Sequence, residues 1–151
     1  YKCELGRLNF NLNNFDGKFI NGCIGNHYKE NFTFTDWDSK SYDISKVSID
    51  WLVKEYNIEK INVLHADIQN AENELLDGAK ETFLSNKIDY LFLGTHSSNS
   101  DFIQKILSYG YKIICSFEVR ESFFDDGLIL ACSESIYNNL DLNNFSVSIK
   151  N

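Results

Sequence analysis

Ionisable side chains follow two apolar runs of the sequence at the points where predicted strands end. The run INVLH (61–65) is followed by Asp67, and the run IDYLFLG (88–94) is followed by His96. Because ligands in parallel α/β sheets bind beyond the carboxyl ends of the strands, we expect Asp67 and His96 to face one crevice. A neutral imidazole beside a carboxylate can serve as a general base. The structural alternative, that Asp67 caps a helix and His96 begins a turn, fits the pattern equally well.

A metal site is the other chemistry that these residues suggest. His65, Asp67 and His96 together resemble the ligand set of a metal-dependent hydrolase. The spacing is not diagnostic, and no further His or Cys lies nearby in the sequence. We therefore expect no bound metal.

An alternation of strands and helices over residues 61–117 must position these side chains. Strands are predicted at 18–25, 31–35, 61–65, 88–94, 111–117 and 127–133, helices at 48–56, 71–86 and 100–110, a helix end at 4–14, a polar turn at 36–44 and a weaker strand at 145–149. Such alternation is typical of a parallel sheet with crossover helices, and continuous apolar strands indicate cover on both faces. We predict an α/β fold whose last four strong strands share one sheet, with the first two as parallel neighbours.

Length and charge limit the function classes. At 151 residues the chain is expected to be one domain, and its net charge of −8 argues against nucleic acid as a partner. No apolar run approaches the ~20 residues of a membrane span, and the first stretch has no signal-peptide pattern. The cysteines form no C-x-x-C pair and occur at positions 3, 23, 115 and 132. Reduced core thiols in a cytoplasmic protein are the expected state.

One longer segment is similar to a known family. HADIQNAENELLDGA, followed by IDYLFLGTHSS, resembles the FkbM-type S-adenosylmethionine-dependent methyltransferases. In that family a strand ends in a D-[VI]-[EQ]-G-x-E motif, a helix ends in a G-A pair, and the next strand ends in an acidic residue or Thr before a His. The matching residues here are Asp67-Ile68-Gln69-Asn70-Ala71-Glu72, Gly78-Ala79 and Thr95-His96. Asn70 replaces the usual Gly, and Asn tolerates the left-handed conformation next best.

The resemblance covers residues 4–133 and implies a Rossmann-like class I methyltransferase sheet. That sheet has strand order 3-2-1-4-5-7-6 and is mostly parallel, with an antiparallel strand near the C-terminus. No glycine-rich cofactor loop precedes the third-strand equivalent at 18–25. The 151 residues therefore read as a single partial domain that lacks its first two strands. The third strand would then need upstream sequence, another chain or a rearranged sheet to pair its backbone.

The resemblance also implies the chemistry and the roles. The reaction would be methyl transfer from S-adenosylmethionine to a hydroxyl of a sugar, glycolipid or polyketide-like small molecule. His96 is assigned as the base, and Asp67 as its partner or as a cofactor contact. The remaining candidates are Ile24, Gly25 and Asn26 for the cofactor, and His65, Gln69 and Glu72 for the substrate rim. A homo-oligomer is left open. The alternative function is a truncated, non-catalytic α/β module for binding or assembly, which the missing glycine-rich half favours.

Overall fold

A computed structural model describes residues 2–36, 38–121 and 126–141. Its helices are α1 Lys2–Leu12, α2 Ile49–Glu55, α3 Glu72–Asp77, α4 Lys80–Leu84, α5 Ser100–Ser108 and α6 Glu134–Tyr137. Its strands are β1 Gly22–Ile24, β2 Lys29–Thr35, β3 Ser41–Val47, β4 Ile61–Ala66, β5 Ile88–Thr95, β6 Lys112–Phe117 and β7 Gly127–Cys132. The strand predicted at 145–149 lies outside the described residues.

The larger sheet contains four strands in the order β4-β5-β7-β6. β4 and β5 are parallel, whereas β7 is antiparallel to both of its neighbours. The prediction that these four strands share one sheet, with the first two as parallel neighbours, is confirmed. β4, β5 and β6 thus run in one direction and β7 runs in the other. Because only one of the three pairings is parallel, the sheet is mixed.

A second, three-stranded sheet has the order β1-β3-β2. β1 pairs with β3 in parallel, and β2 pairs with β3 in antiparallel register. The polar turn predicted at 36–44 is therefore wrong in its second half, where β3 begins. Cross-strand polar bonds support this exposed strand, as when the Thr33 hydroxyl donates to Asp43 Oδ1 at 2.9 Å. The strand predicted at 18–25, the third-strand equivalent, is shorter in the structure, where only β1 is extended in this range. It pairs with β3.

The core lies on one face of the larger sheet. Side chains from α2, α3, α4 and α5 pack there against buried strand residues, which are Leu64, Ala66, Leu91, Leu93, Ile129 and Ala131. Removal of these apolar groups from water is the main stabilising contribution. The sequence pattern predicted strands that are covered on both faces. This prediction is wrong at β4 and β5, because Val63 and Phe92, on the face opposite the core, are exposed.

The helix predicted at 71–86 is interrupted at Gly78 and Ala79. In a continuous helix the Thr82 N–H would donate to the Gly78 carbonyl. Here Thr82 N–H donates instead to Asp50 Oδ1 at 2.8 Å, and the Gly78 carbonyl accepts from Asp50 N–H at 2.8 Å. Asp50, which lies in the first turn of α2, therefore also caps α4.

Two helix ends are capped by residues suited to those positions. Ser48 Oγ accepts from Trp51 N–H at 3.2 Å and caps α2. Gly110, just past α5, has a φ of +86°, the left-handed conformation that commonly ends a helix. Among the described helices, none combines the length and hydrophobicity needed to traverse a bilayer.

Candidate active site

The parallel pairing of β4 and β5 brings two chain reversals together. Ala66 is level with Leu93, so Asp67 lies beside Gly94 at the carboxyl edge of the sheet. A Cβ atom at Gly94 would lie 3.2 Å from Cβ of Asp67, which is an unusually tight contact. The glycine that ends the apolar run of β5 therefore gives the Asp67 side chain room beside His96.

Four polar side chains surround the imidazole of His96. Its Nδ1 lies 3.0 Å from Glu72 Oε1, and its Nε2 lies 2.9 Å from Gln69 Nε2. On the same Nε2 side, Asp67 Oδ1 is 3.3 Å away and Asp126 Oδ1 is 3.4 Å away. The predicted proximity of Asp67 and His96 is thus observed. We name these five residues the His96 cluster.

The carboxylates of the His96 cluster differ in their access to solvent. The side chain of Glu72 is 1% exposed, whereas those of Asp67 and Asp126 are 47% and 45% exposed. Glu72 Oε1 also lies 3.4 Å from the backbone N–H of Ile68, which donates to it. A rim position for Glu72 is therefore wrong, because its carboxylate is buried beneath the imidazole. Gln69 and Asp67 are on the solvent side.

Two consecutive left-handed residues fold Glu72 back under His96. Gln69 has a φ of +55° and Asn70 a φ of +74°. The expectation that Asn70 can take the conformation of the family glycine is confirmed. Non-glycine residues in this region are strained, and such strain concentrates at functional sites.

A buried network fixes the segment that carries His96. The Thr95 hydroxyl donates to Asn99 Oδ1 at 2.6 Å, and Asn99 Nδ2 donates to the Phe117 carbonyl at 2.8 Å. Glu118 accepts from the Asn99 backbone N–H at 3.1 Å. Asn99, the residue before α5, makes no side-chain cap bond to that helix and instead ties the end of β5 to the end of β6.

Sequence reasoning missed Asp126 as a member of the His96 cluster. Asp126 immediately precedes β7, the strand of the larger sheet that runs against both of its neighbours. The first residue of an antiparallel strand lies at the same sheet edge as the last residues of β4 and β5. The predicted antiparallel strand near the C-terminus was therefore the signal that could have found it.

His65 lies away from the cluster. It is an exposed residue inside β4, level with Phe92. Within the described part of the chain, no group of three or more His, Cys, Asp or Glu side chains is arranged to hold a metal ion.

Of the predicted cofactor residues, Ile24, Gly25 and Asn26 lie apart from Asp67, at the end of β1 and in the loop that follows it. Gly25 is buried, and a Cβ atom there would overlap the Lys46 side chain and lie 3.1 Å from Glu74 Oε2. Asn26 is exposed, and its Oδ1 is 2.6 Å from His27 Nδ1. The loop of Ile24, Gly25 and Asn26 thus packs on β3 and α3.

One cleft lies away from the His96 cluster. It has a volume of about 490 Å³ and lies between α2 and α4, where Asp50, Lys54, Glu81 and Lys87 line it. A second cleft of about 380 Å³ lies at the C-terminal ends of α4 and α5, where Tyr109 and Glu134 line it. Neither contains a predicted site residue, so the chemistry of the side chains, and not cavity size, identifies the His96 cluster.

Comparison with known proteins gives one match. Residues 10–122, three quarters of the chain, match the family model described as the methyltransferase FkbM domain. This range includes Asp67, Glu72 and His96 but not Asp126. Comparisons with curated proteins and with solved structures found no match.

Proposed function

Because the chain belongs to the methyltransferase FkbM domain family, we propose that it methylates a hydroxyl group of a small molecule with S-adenosylmethionine as donor. A sugar, a glycolipid or a polyketide-like compound is the proposed acceptor. The observation that carries the proposal is the orientation of His96, whose Nδ1 meets buried Glu72 while its Nε2 faces the exposed Asp67.

Proton removal is the step that the residues of this chain can perform. When bound, S-adenosylmethionine would supply a methyl group on a positively charged sulfur, which the acceptor oxygen would take while the carbon–sulfur bonding pair returned to sulfur. The lone pair of His96 Nε2 takes the hydroxyl proton, and the resulting imidazolium releases it to water. General-base catalysis of this kind contributes about 10²–10⁴-fold to a rate.

Asp67 is the proposed cofactor contact within the cluster. Its carboxylate is half exposed and can accept hydrogen bonds from ribose hydroxyls, as acidic residues do in related dinucleotide folds. Ile24, Gly25 and Asn26 are proposed contacts on the basis of the family alone. Glycine-rich backbone that could approach the adenosine closely does not precede β1 in this sequence.

We propose that the larger sheet is part of a Rossmann-like class I methyltransferase sheet. Its order, β4-β5-β7-β6, supports this proposal because the family sheet ends in the strand order 4-5-7-6. Strands of the cofactor-binding half would then pair with the outer edge of β4. Residues 1–151 would be one partial domain of that fold.

The partners follow from charge and thiol state. A net charge of −8 supports a small-molecule acceptor rather than nucleic acid. Four free cysteines support a reducing compartment, which we take to be the cytoplasm.

The test is release of S-adenosylhomocysteine from S-adenosylmethionine with a panel of hydroxylated acceptors. The protein used, called the encoded protein below, is expressed from the full gene, so that it includes any residues that the gene encodes before Tyr1. We expect turnover with at least one acceptor and a loss of at least about 100-fold in the His96→Gln variant. The control is Glu134→Gln, which changes an exposed carboxylate paired with Lys112.

Cofactor binding separates this proposal from its alternative. Calorimetry should show that S-adenosylmethionine binds to the encoded protein. The 151 residues alone should show no binding of micromolar strength, which corresponds to a binding free energy of about −8 kcal/mol. If the encoded protein also fails to bind, the methyltransferase proposal falls, and a non-catalytic binding or assembly module becomes the better account.

A further inference from the structure

We infer that Glu72 is a positioning residue that fixes the proton of neutral His96 on Nδ1 and leaves a lone pair on Nε2, toward the solvent side. The proton arrangement follows from the contacts alone, and only its catalytic use rests on the function proposed above.

The contact at Nδ1 carries the first half of the inference. An ionised carboxylate can only accept hydrogen bonds, so Glu72 Oε1, 3.0 Å from Nδ1, requires a proton on that nitrogen. Glu72 is 1% exposed, so water cannot easily replace the imidazole as its partner. A buried acceptor left without its donor would be destabilising.

The contact at Nε2 leads independently to the same arrangement. Gln69 Nε2 is an amide nitrogen that can only donate, and it lies 2.9 Å from His96 Nε2. In the neutral ring one nitrogen donates and the other accepts, so Nε2 accepts from Gln69 while Nδ1 donates to Glu72. The Gln69 amide thus occupies the place of the acceptor hydroxyl that Nε2 would deprotonate.

Asp67 and Asp126 are on the wrong side of the ring to orient the base. Both lie near Nε2, at 3.3 and 3.4 Å, as ion-pair partners of a charged ring, whereas the hydrogen-bond contacts of the ring are those with Glu72 and Gln69. Glu72 is therefore the orienting carboxylate, and Asp67 is available to a ligand. Of the two roles expected for Asp67, partner of His96 or cofactor contact, this division favours the second.

The test is the tautomer of His96 in the 151-residue chain, measured by long-range ¹H–¹⁵N NMR above the pH at which the ring titrates. Asp67, Glu72 and Asp126 are the charged groups that face the ring. The chain has three histidines, so variants of His27 and His65 assign the signals. We expect a protonated Nδ1 and an unprotonated Nε2 in the wild-type protein. A protonated Nε2 in the neutral ring would overturn the inference.

Two variants keep the test decisive. Glu72→Gln retains an acceptor oxygen and should keep most of the Nδ1–H form, whereas Glu72→Met removes the acceptor and should restore the Nε2–H form that free histidine prefers. Glu134→Gln should leave the tautomer unchanged. If Glu72→Met fails to fold, the wild-type spectrum still decides. An Nδ1–H form together with full turnover in His96→Gln would leave this inference standing and defeat the proposed base.

Discussion

Tyr111 substitutes for a missing strand partner at the start of β5. Its hydroxyl donates to the Ile88 carbonyl at 2.6 Å and accepts from the Ile88 N–H at 3.2 Å. Both residues are buried, so Tyr111→Phe leaves two backbone groups without a partner. We expect a loss of about 1–3 kcal/mol in the free energy of unfolding, measured by urea denaturation. A loss below experimental error would show that water reaches Ile88.

The same residue makes stability depend on alkaline pH. Burial raises the pKa of Tyr111 from its usual value of 10.0 to about 12. Between these values the unfolded chain releases the phenol proton while the folded chain retains it, so rising pH favours unfolding. The contribution of Tyr111 is complete below pH 10.0 and is lost as the pH rises to about 12.

Comparison with Tyr111→Phe isolates that contribution from the other titrating groups. The free energy of unfolding of the wild-type protein should fall more steeply with pH in this window than that of the variant. An equal pH dependence of the free energy of unfolding in the two proteins would contradict the assignment of this effect to Tyr111.

Cys132 should be the least reactive of the four free thiols. It is 0% exposed, and burial raises the pKa of its thiol. Because the thiolate is the reactive form, native protein treated with iodoacetamide should be modified at Cys132 last. Mass spectrometry of peptides measures the order, and the denatured chain is the control in which the difference should disappear. Native labelling of Cys132 as rapid as that of Cys3 would be inconsistent with this packing.

At the scale of elements, Asp50 joins α2 to α4. Its carboxylate accepts from the N–H groups of Glu81 and Thr82 and from the Thr82 hydroxyl. Asp50→Asn keeps the shape but loses the charge and one acceptor oxygen, so we expect a loss of about 1–2 kcal/mol. Asp77→Asn, which changes an exposed ion pair with Lys105, should cost less than about 1 kcal/mol. Equal effects in thermal or urea unfolding would refute the capping role.

Gly78 permits a close approach between α3 and the loop after β1. A Cβ atom at this position would overlap the Gly25 carbonyl and lie 2.9 Å from Cβ of Ser48. Backbone cannot move aside as a flexible side chain can, so Gly78→Ala should cost about 3 kcal/mol. Gly110→Ala meets no atom within 4 Å but has a φ of +86°, so only local strain of about 1 kcal/mol is expected. Unfolding of both variants is compared, and a smaller effect at Gly78 would exclude the steric account.

Periodicity predicted the elements better than their interruptions. The four strands of the larger sheet and the helices around 49–55 and 100–108 agree with the sequence pattern because apolar spacing follows burial. Periodicity did not predict the break at Gly78, because the break depends on Asp50, distant in sequence; the family resemblance, however, implied a helix end at the pair Gly78-Ala79. β3 was missed because its first residues are polar and exposed, so that pairing with β2 rather than burial defines the strand.

The site was predictable to the same extent. Asp67 and His96 could be placed together because strand ends meet at one sheet edge. The position of Asp126 beside the imidazole depends on the direction of β7, which the predicted antiparallel strand near the C-terminus already implied. The position of Glu72 depends on the backbone angles of the turn at residues 69–70, which the sequence pattern does not specify, so Glu72 was expected at the rim when it is buried.

At the scale of the whole molecule, β4 has an open outer edge. The Ile61 N–H donates toward β5, to the Lys87 carbonyl at 2.7 Å. Because backbone groups of a strand alternate in direction, those of Asn62, Leu64 and Ala66 point away from β5. No strand pairs with that edge among the described residues. Val63, 54% exposed, adds an apolar surface beside it.

Amide hydrogen exchange of the monomeric 151-residue chain should show this alternation directly. The N–H groups of Val63 and His65 bond to β5 and should exchange slowly, whereas those of Asn62, Leu64 and Ala66 should exchange quickly.

In the encoded protein, with any residues that precede Tyr1, the rapidly exchanging N–H groups of β4 should become protected if strands of a cofactor-binding half pair with this edge. Sedimentation distinguishes a second copy on this edge, because its protection would depend on protein concentration. Slow exchange at Leu64 and Ala66 in the monomeric 151-residue chain would show that the edge is already paired, which would refute the proposed place of the cofactor-binding half.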